Sequence, residues 1–558
     1  MKEETKGLFF AIILSMAAIF ITNWLFPATV EDTTPELSVE ATPAIQEAVA
    51  DTTKTEEKIT LSTAEAIAQD KRISISNTDI NGSIRLKGAR FDDIKLRKYH
   101  MDMSENSPEV ELLTPSQSSN PYYAEFGWLS SDSSLKLPDN NTVWKTQNTT
   151  LTPQTPLVLE WNNGQGLRFI RKISIDNNYM FTIEQNIENN TGKNITLYPY
   201  GLINRNIANL ESNASVVHEG IIGYIDSSLE EIKYSKLEDI GDKKSYNSNG
   251  GWVGFGDRYW FSALILAENT NNKIKLSHTA ENDYQVDYVG EPLNIAANSI
   301  GSNNIRFYTG AKEIKLLDTY TDKLHISKLD LAVDFGWYYF LTKPFFYILD
   351  FLYHLIGNMG WAILLFAALL RLAMFPIANK SFESMSKMKK VQPKLKELQE
   401  KYKDDKVKLQ KEVMETYRKE KINPAAGCLP VLIQIPIFFS LYKVLNIAIE
   451  IRHAPFIGWI KDLSAPDPLT ISVISGMPIP SLLDIGIWPI FMGLSMYIQQ
   501  KLNPAPTNPD QARVMSLLPL IFTFMLGHFA SGLVIYWTLS NLLSIIQQKA
   551  IMHKLGVK

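Results

Sequence analysis

The chain has 558 residues, 45% hydrophobic and 20% charged, with a formal net charge of −4 and a single cysteine, Cys428. One hydrophobic core rarely serves more than about 250–300 residues, so several domains are expected. A lone thiol excludes an intramolecular disulfide framework and any multi-cysteine metal site, and the near-neutral balance argues against DNA or another nucleic acid as partner.

In chain order, the first element is residues 7–26, GLFFAIILSMAAIFITNWLF, which carry no charge. A helix of that length spans roughly 30 Å of hydrocarbon. A cleaved signal peptide would have a shorter apolar core and a small-x-small site. Here the run ends on Trp24, Phe26 and Pro27, an interfacial aromatic anchor. Residues 1–27 therefore read as an uncleaved signal anchor, with Lys2 and Lys6 favouring a cytoplasmic N-terminus. Residues 28–71 are rich in Thr, Glu, Pro and Ala. They cannot bury enough apolar surface to offset their ordering entropy and are expected to be a flexible periplasmic linker.

The period then changes to two. Leu167, Phe169, Ile173 and Ile175 alternate with Arg168, Lys172 and Ser174, and beyond Asp176-Asn177-Asn178 the residues Phe181, Ile183 and Ile187 alternate with polar ones. Two alternating runs around an Asx-rich turn predict a hairpin. A third strand is expected at Ile195–Tyr198, and similar strands recur to about Tyr308. Residues 72–333 thus read as an all-β periplasmic sandwich. They hold no Walker loop, His-Glu-x-x-His or Gly-x-Ser-x-Gly, and His100, His218 and His278 lack ligand spacing. No catalytic residue, metal site or cofactor is expected, only binding or spacing.

Residues 334–350 are dense in aromatics and end in an apolar run. They read as an interfacial amphipathic helix, or else as the last packed segment of the β-domain. The chain stays apolar from about 351 to 376 except for Arg371. That arginine either snorkels to the cytoplasmic end of its helix or faces a polar cavity. Its side chain tilts toward the helix N-terminus, and apolar chain continues for more than a turn beyond it, which favours the cavity. Residues 380–421 interleave lysine and glutamate around Met385, Met388, Val391, Leu395, Leu398, Tyr402, Leu409, Val413 and Tyr417. This is the pattern of a helical hairpin with a narrow apolar seam. Its lysines outnumber Arg452 and Lys461 of the next loop, which places it in the cytoplasm. Its basic face reads as a solvated surface or a docking site for ribosomal RNA or anionic lipid.

Four more apolar stretches follow, at 428–449, 485–500, 514–528 and 531–550. The fold class is therefore an α-helical integral membrane protein of six transmembrane helices, five of them one bundle in a core 351–558, plus the β-sandwich and the hairpin. The middle spans are short against the usual 20 residues, and the last carries Tyr536, Trp537, Thr538, Ser540, Asn541 and Ser544. Short helices thin the bilayer or are shielded by protein. Polar residues at that depth face a cavity or another helix.

The string Asn423-Pro424-Ala425-Ala426-Gly427-Cys428-Leu429-Pro430, continuing VLIQIPIFFSLYKVL through Gln434 and Pro436, closely resembles the signature of the YidC family of membrane protein insertases. These are bacterial relatives of the mitochondrial Oxa and chloroplast Alb proteins. The match extends through Arg371-x-x-x-x-Pro376, Met388-x-x-x-Gln392-Pro393, Ala454-Pro455-Phe456 and Ser531-Gly532-Leu533-Val534-Ile535-Tyr536. The anchor and large external domain resemble the Gram-negative type, whose β "supersandwich" is implied by analogy alone.

The resemblance implies an inner-membrane insertase and chaperone with both termini cytoplasmic, acting alone or with Sec translocon components. Its expected partners are nascent membrane proteins, the ribosome (through hairpin and tail) and membrane lipids. It also implies a substrate groove centred on Arg371 with Gln434, Tyr536 and Trp537. Asn423, Pro424, Gly427, Cys428, Pro430 and Pro436 form the structural motif. Ala367 stands one turn before the arginine where the family often has a hydroxyl, and Trp537 replaces a frequent second tyrosine, so a less polar groove is implied. The alternatives are a transporter or channel with a periplasmic receptor domain, although the clustered spans show no internal repeat, and a cell-envelope enzyme, for which no catalytic constellation is present.

Overall fold

The computed structural model describes residues 60–207, 217–240, 244–279, 282–402, 405–420, 422–423, 429–504 and 509–556. The expected signal anchor and most of the linker lie outside the described residues, as do Pro424, Gly427 and Cys428. The chain divides into two compact units. One is the β-rich region up to Thr309, and the other runs from Gly310 onward with the short segments Tyr99–Glu109 and Gly256–Phe261. The division falls at 309/310, ahead of the 333/334 boundary expected from composition, because helix Ile314–Leu324 packs with the helical unit.

The β-rich unit contains an eleven-stranded and an eight-stranded sheet among its described residues. The hairpin expected around Asp176 forms, with strands Leu167–Ile175 and Met180–Asn189 pairing antiparallel in the register Ile173↔Ile183. Burial alternates along the first strand, as one solvated and one packed face require. The strand beginning at Ile195 continues to Asn206 and lies in the other sheet, between Tyr122–Leu129 and Asp283–Val289. Where it enters that sheet, Tyr200 to Ile203 are buried on both faces, so alternation could not show its full length. Phe91 and Phe126 from the larger sheet meet Phe181 and Phe307 from the smaller. Their neighbouring rings stand edge-on, with Phe91 5.2 Å from Phe181 and Phe126 5.7 Å from Phe307. Each such buried ring contributes about 1.5–3 kcal/mol.

A row of cross-strand neighbours on the other face of the larger sheet is buried and carries charged residues on both sides of Leu202. Lys275 pairs with Asp287, Asp287 with Leu202 and Leu202 with Glu125. Arg90 bonds Glu125 at 2.6 Å. Burial pushes the Asp287 carboxyl up to about 7 from an ordinary 3.8, against the pull of Lys275. The folded state then binds a proton that the unfolded state has already lost, so this residue's contribution falls as pH rises from about 4 to 7. Asp287→Asn should therefore gain on the native chain by about 2–3 kcal/mol between pH 4.5 and 7.5. Chemical denaturation of the full chain in detergent at the two pH values measures it, and parallel curves would reject the burial argument.

In the helical unit the described helices of more than ten residues are α1 (Ile314–Leu324), α2 (Tyr339–Ile356), α3 (Met359–Ala373), α4 (Phe375–Lys401), α5 (Lys406–Lys419), α6 (Leu429–Ile447), α7 (Ile487–Leu502), α8 (Pro509–Met525) and α9 (Ser531–Lys554). Two expected boundaries move. The interfacial helix 334–350 and the beginning of the 351–376 span are one helix, α2. It ends at Gly357, whose φ of 78° reverses the chain, and the Asn358 side chain then accepts the Trp361 N–H at 3.1 Å to begin α3. At its far end α3 meets α4 with a 66° bend. Pro376 lacks the N–H that would bond Leu372, and its ring clashes there, so a straight helix is not available.

The first arm of the expected hairpin is therefore continuous with Phe375, not begun at 380. Its seam forms as the spacing predicts, with Val391 and Leu395 against Tyr417 and Ile422, flanked by Met388, Leu398 and Val413. Met385 instead joins Ala378, Phe382 and Ile551. Among the described residues no single helix is long and apolar enough to cross a membrane, whereas the bent pair α3–α4 passes that test jointly. The 15 residues of α3 extend only about 22 Å.

Candidate functional site

Arg371 lies in the last turn of α3, immediately before the bend. Its guanidinium is half-buried, its Nε has no hydrogen-bond partner, and no carboxylate pairs with it among the described residues. A cation at a helix C-terminus is favoured by the backbone dipole, which accounts for its tolerance there but not for its burial. Helix α9, which carries Tyr536, packs against α3. Tyr536 is 2% exposed, and its hydroxyl accepts from Gln434 Nε2 of α6 at 2.9 Å. Three helices thus bring Arg371, Gln434 and Tyr536 into one neighbourhood. Ala367, one turn before the arginine, is buried and adds no hydroxyl.

Trp537 is placed differently. It follows Tyr536 by about 100° around α9, and its ring stands 4.6 Å from Phe438 and 6.0 Å from Phe522. There it belongs to the apolar cluster of Met492, Leu526 and Val534. The structure therefore groups Trp537 with the packing of α6, α8 and α9, apart from the Gln434–Tyr536 bond. Of the motif residues, Pro430 lies in the first turn of α6, where its missing N–H costs no helical bond. Pro436 interrupts the same helix further on. The Asn423 carbonyl accepts from Ser384 Oγ at 3.0 Å, tying the chain before α6 to α4.

Further polar contacts follow α9 beyond the residues singled out from sequence. Asn541 donates to Ser495 at 2.9 Å, Gln547 to Asn379 at 2.8 Å and Gln548 to Asn503 at 3.1 Å. The oxygens of Gln547 and Gln548, like Ser440 Oγ, are buried without a partner among the described residues. The signal was present as amides seven apart, Asn541 and Gln548, which share a helix face. Their partners, Ser495 of α7 and Asn503 just beyond it, have no sequence relation to them. Thr538 and Ser544 bond back to the carbonyls of Val534 and Ser540, so these hydroxyls are satisfied within their own helix.

The chain thus carries a β-rich unit and a helical unit whose apolar helices bear polar side chains along α9, a composition that suits a membrane protein. Residues 72–348 match the family model described as YidC periplasmic domain, and residues 351–557 match that of the 60Kd inner membrane protein. A membrane protein insertase YidC of Beijerinckia indica subsp. indica is 43% identical, covering 100% of this chain and 97% of that one. Those of Brucella melitensis biotype 1 and Rickettsia bellii are 47% and 45% identical, covering 88% and 86% of this chain and 82% and 87% of theirs. The chain belongs to the YidC family of membrane protein insertases, a non-enzymatic family of the inner membrane with a periplasmic domain.

Among solved structures, an active YidC insertase with its first transmembrane domain resolved is 17% identical over 90% of this chain and 97% of that one, with a TM-score of 0.37. A galactose mutarotase related enzyme from Lactobacillus acidophilus covers 43% of this chain at 11% identity and a TM-score of 0.28. Neither likeness is close enough to carry an argument.

Proposed function

We propose that this chain inserts nascent inner-membrane proteins through a polar groove among α3, α6 and α9, with Arg371 as its positive centre and Gln434 and Tyr536 as its polar wall. Trp537 supports that wall from behind. The observation that carries this reading is the half-buried guanidinium of Arg371, which has no carboxylate partner among the described residues. A buried cation is costly unless water or a partner compensates it, so the site is suited to receive an acidic segment.

The chain would cross the membrane six times, with both termini and the α4–α5 hairpin in the cytoplasm and the β-domain outside. The nascent chain docks beside the hairpin, where a ribosome is the expected donor, and its short polar segment enters the groove. The groove replaces part of the desolvation cost of a charge, several kcal/mol in bare hydrocarbon. The substrate's apolar helix then partitions into lipid and supplies the drive. The membrane potential adds about 2.3 kcal/mol per negative charge per 100 mV for acidic segments moving outward. Sec translocon components are further partners that the family resemblance implies.

Photocrosslinking tests the route. Ala368 shares the Arg371 face one turn earlier, whereas Leu369 is exposed on the outer face. A photoreactive residue at 368 should capture ribosome-bound nascent chains carrying an acidic translocated segment, and one at 369 should capture chiefly lipid. Equal labelling from both positions, or none from 368, would favour the transporter reading.

A further inference from the structure

The loop between α6 and α7 contains a feature that insertion through the groove does not use. From Pro468 to Leu483 it carries no charged residue. Its tip is a short helix, Ile471–Ser475, and a 3-10 turn, Ser481–Leu483. Gly476, at φ 68°, ends the helix and turns the chain back. Val473, Ile474, Met477, Leu482 and Leu483 are 64%, 58%, 62%, 71% and 47% exposed.

This is a built loop. Asp484 accepts from Ser472 N–H at 2.9 Å, Ser472 Oγ at 2.6 Å and Thr470 Oγ1 at 3.0 Å. The strands of its neck bond through Ile471 N–H to Ile485 O at 3.1 Å and Ile487 N–H to Leu469 O at 3.2 Å. At its base, the buried Asp467 accepts from Trp459 Nε1 and Trp488 N–H, each at 2.8 Å, and so fixes the loop to the start of α7. His528 Nε2 lies 2.9 Å from Ser481 O, holding the other arm. These bonds run from the neck to one side of the tip through Ser472 and Ser481, and Val473, Ile474, Met477, Leu482 and Leu483 are left as its exposed apolar side chains.

We infer that the 470–486 loop is a lipid-embedded wedge, its apolar tip seated among the acyl chains of the outer leaflet beside α7. Three observations single out lipid as the occupant. The exposed tip continues the exposed apolar side of α7, where Ile490, Phe491 and Leu494 are 41%, 47% and 54% exposed. A protein partner of an aqueous loop would ordinarily meet a polar rim, whereas here an uncharged run of 16 residues separates Asp467 from Asp484. Trp459, 37% exposed and tethered to Asp467, is the amphipathic ring expected at headgroup level. Such a wedge displaces outer-leaflet lipid where the helices are already short, which favours a thinner bilayer next to the groove.

This inference rests on the membrane reading above, and its test separates the two. In a Cys428→Ser background of the full chain, single cysteines at Val473, Met477, Leu494 and Lys461 carry a bimane probe. The protein is reconstituted in phosphatidylcholine vesicles with and without brominated acyl chains. Leu494 on α7 reports membrane embedding of the bundle, and the exposed Lys461 reports water. Positions 473 and 477 should be quenched by bromolipid within twofold of 494 and be at least threefold less accessible to iodide than 461. If 473 and 477 behave like 461 while 494 is quenched, the wedge is wrong and the bundle reading stands. Protection from both quenchers would place a protein or a second copy on the tip and equally overturn it. An unquenched 494 would remove both.

Discussion

Arg371→Ala is expected to lower insertion of a substrate with an acidic translocated segment by at least tenfold in vesicles containing this protein alone, without lowering the amount of folded protein. Moving an acidic residue through the centre of a bilayer costs roughly 2.5–3.5 kcal/mol on insertion scales. At about 1.4 kcal/mol per factor of ten, a groove that removes even half of that cost accounts for the effect. Folding should be spared because the guanidinium has no hydrogen-bond or ion-pair partner among the described residues, and removing an unpaired buried charge relieves a desolvation cost. Arg371→Lys retains the charge but loses the planar fork, so substantial activity in that variant would assign the role to charge alone. Normal insertion by Arg371→Ala, with the substrate's acidic segment confirmed outside, would reject the proposed groove chemistry.

The second large effect is structural. Gly493 of α7 faces Thr523 of α8 so closely that a Cβ added to the glycine would lie 2.0 Å from Thr523 Oγ1 and 3.1 Å from its Cβ. The Thr523 hydroxyl is not free to move aside, since it donates to Pro519 O at 2.7 Å and the residue is 8% exposed. Gly493→Ala should therefore destabilise the helical unit by about 1–3 kcal/mol, the usual cost of overpacking, and Gly493→Leu by more. Small residues at helix contacts in membranes permit this approach of backbones, because packing and not hydrophobicity drives association there. Adding Thr523→Ala removes the hydroxyl in the 2.0 Å clash and should return more than half of the loss. Thermal unfolding in detergent measures both variants, and a double variant no better than Gly493→Ala would show that the helices separate for another reason.

The β-sandwich was legible where one sheet face is solvated. The hairpin at Asp176 follows from strict alternation around an Asx turn, and its register agrees. The strand from Ile195 was only half legible, since its middle is packed on both faces and loses its period. In the hairpin of α4 and α5, Val391, Leu395 and Tyr417 showed their seam because a narrow apolar stripe on charged helices leaves a clear 3.6-residue signal. Within the apolar region that signal vanishes, as lipid-facing and protein-facing side chains are equally hydrophobic. Helix limits there were set by Gly357, Asn358 and Pro376, whose backbone chemistry was visible in the sequence but whose geometric consequence, a turn and a 66° bend, was not.

By itself the sequence determined the division into a β-rich and a helical part, the family through its Asn423–Pro436 motif, and Arg371 as the costly charge, because composition, period and local chemistry are properties of the chain alone. Tertiary structure alone decided that Gln434 bonds Tyr536 across 102 positions while the adjacent Trp537 joins an apolar cluster. It also decided that Gln547 and Gln548 meet Asn379 and Asn503, and that Gly493 admits Thr523. Which side chains share a neighbourhood depends on how helices cross, and helix crossing is decided by packing at contacts distant in sequence.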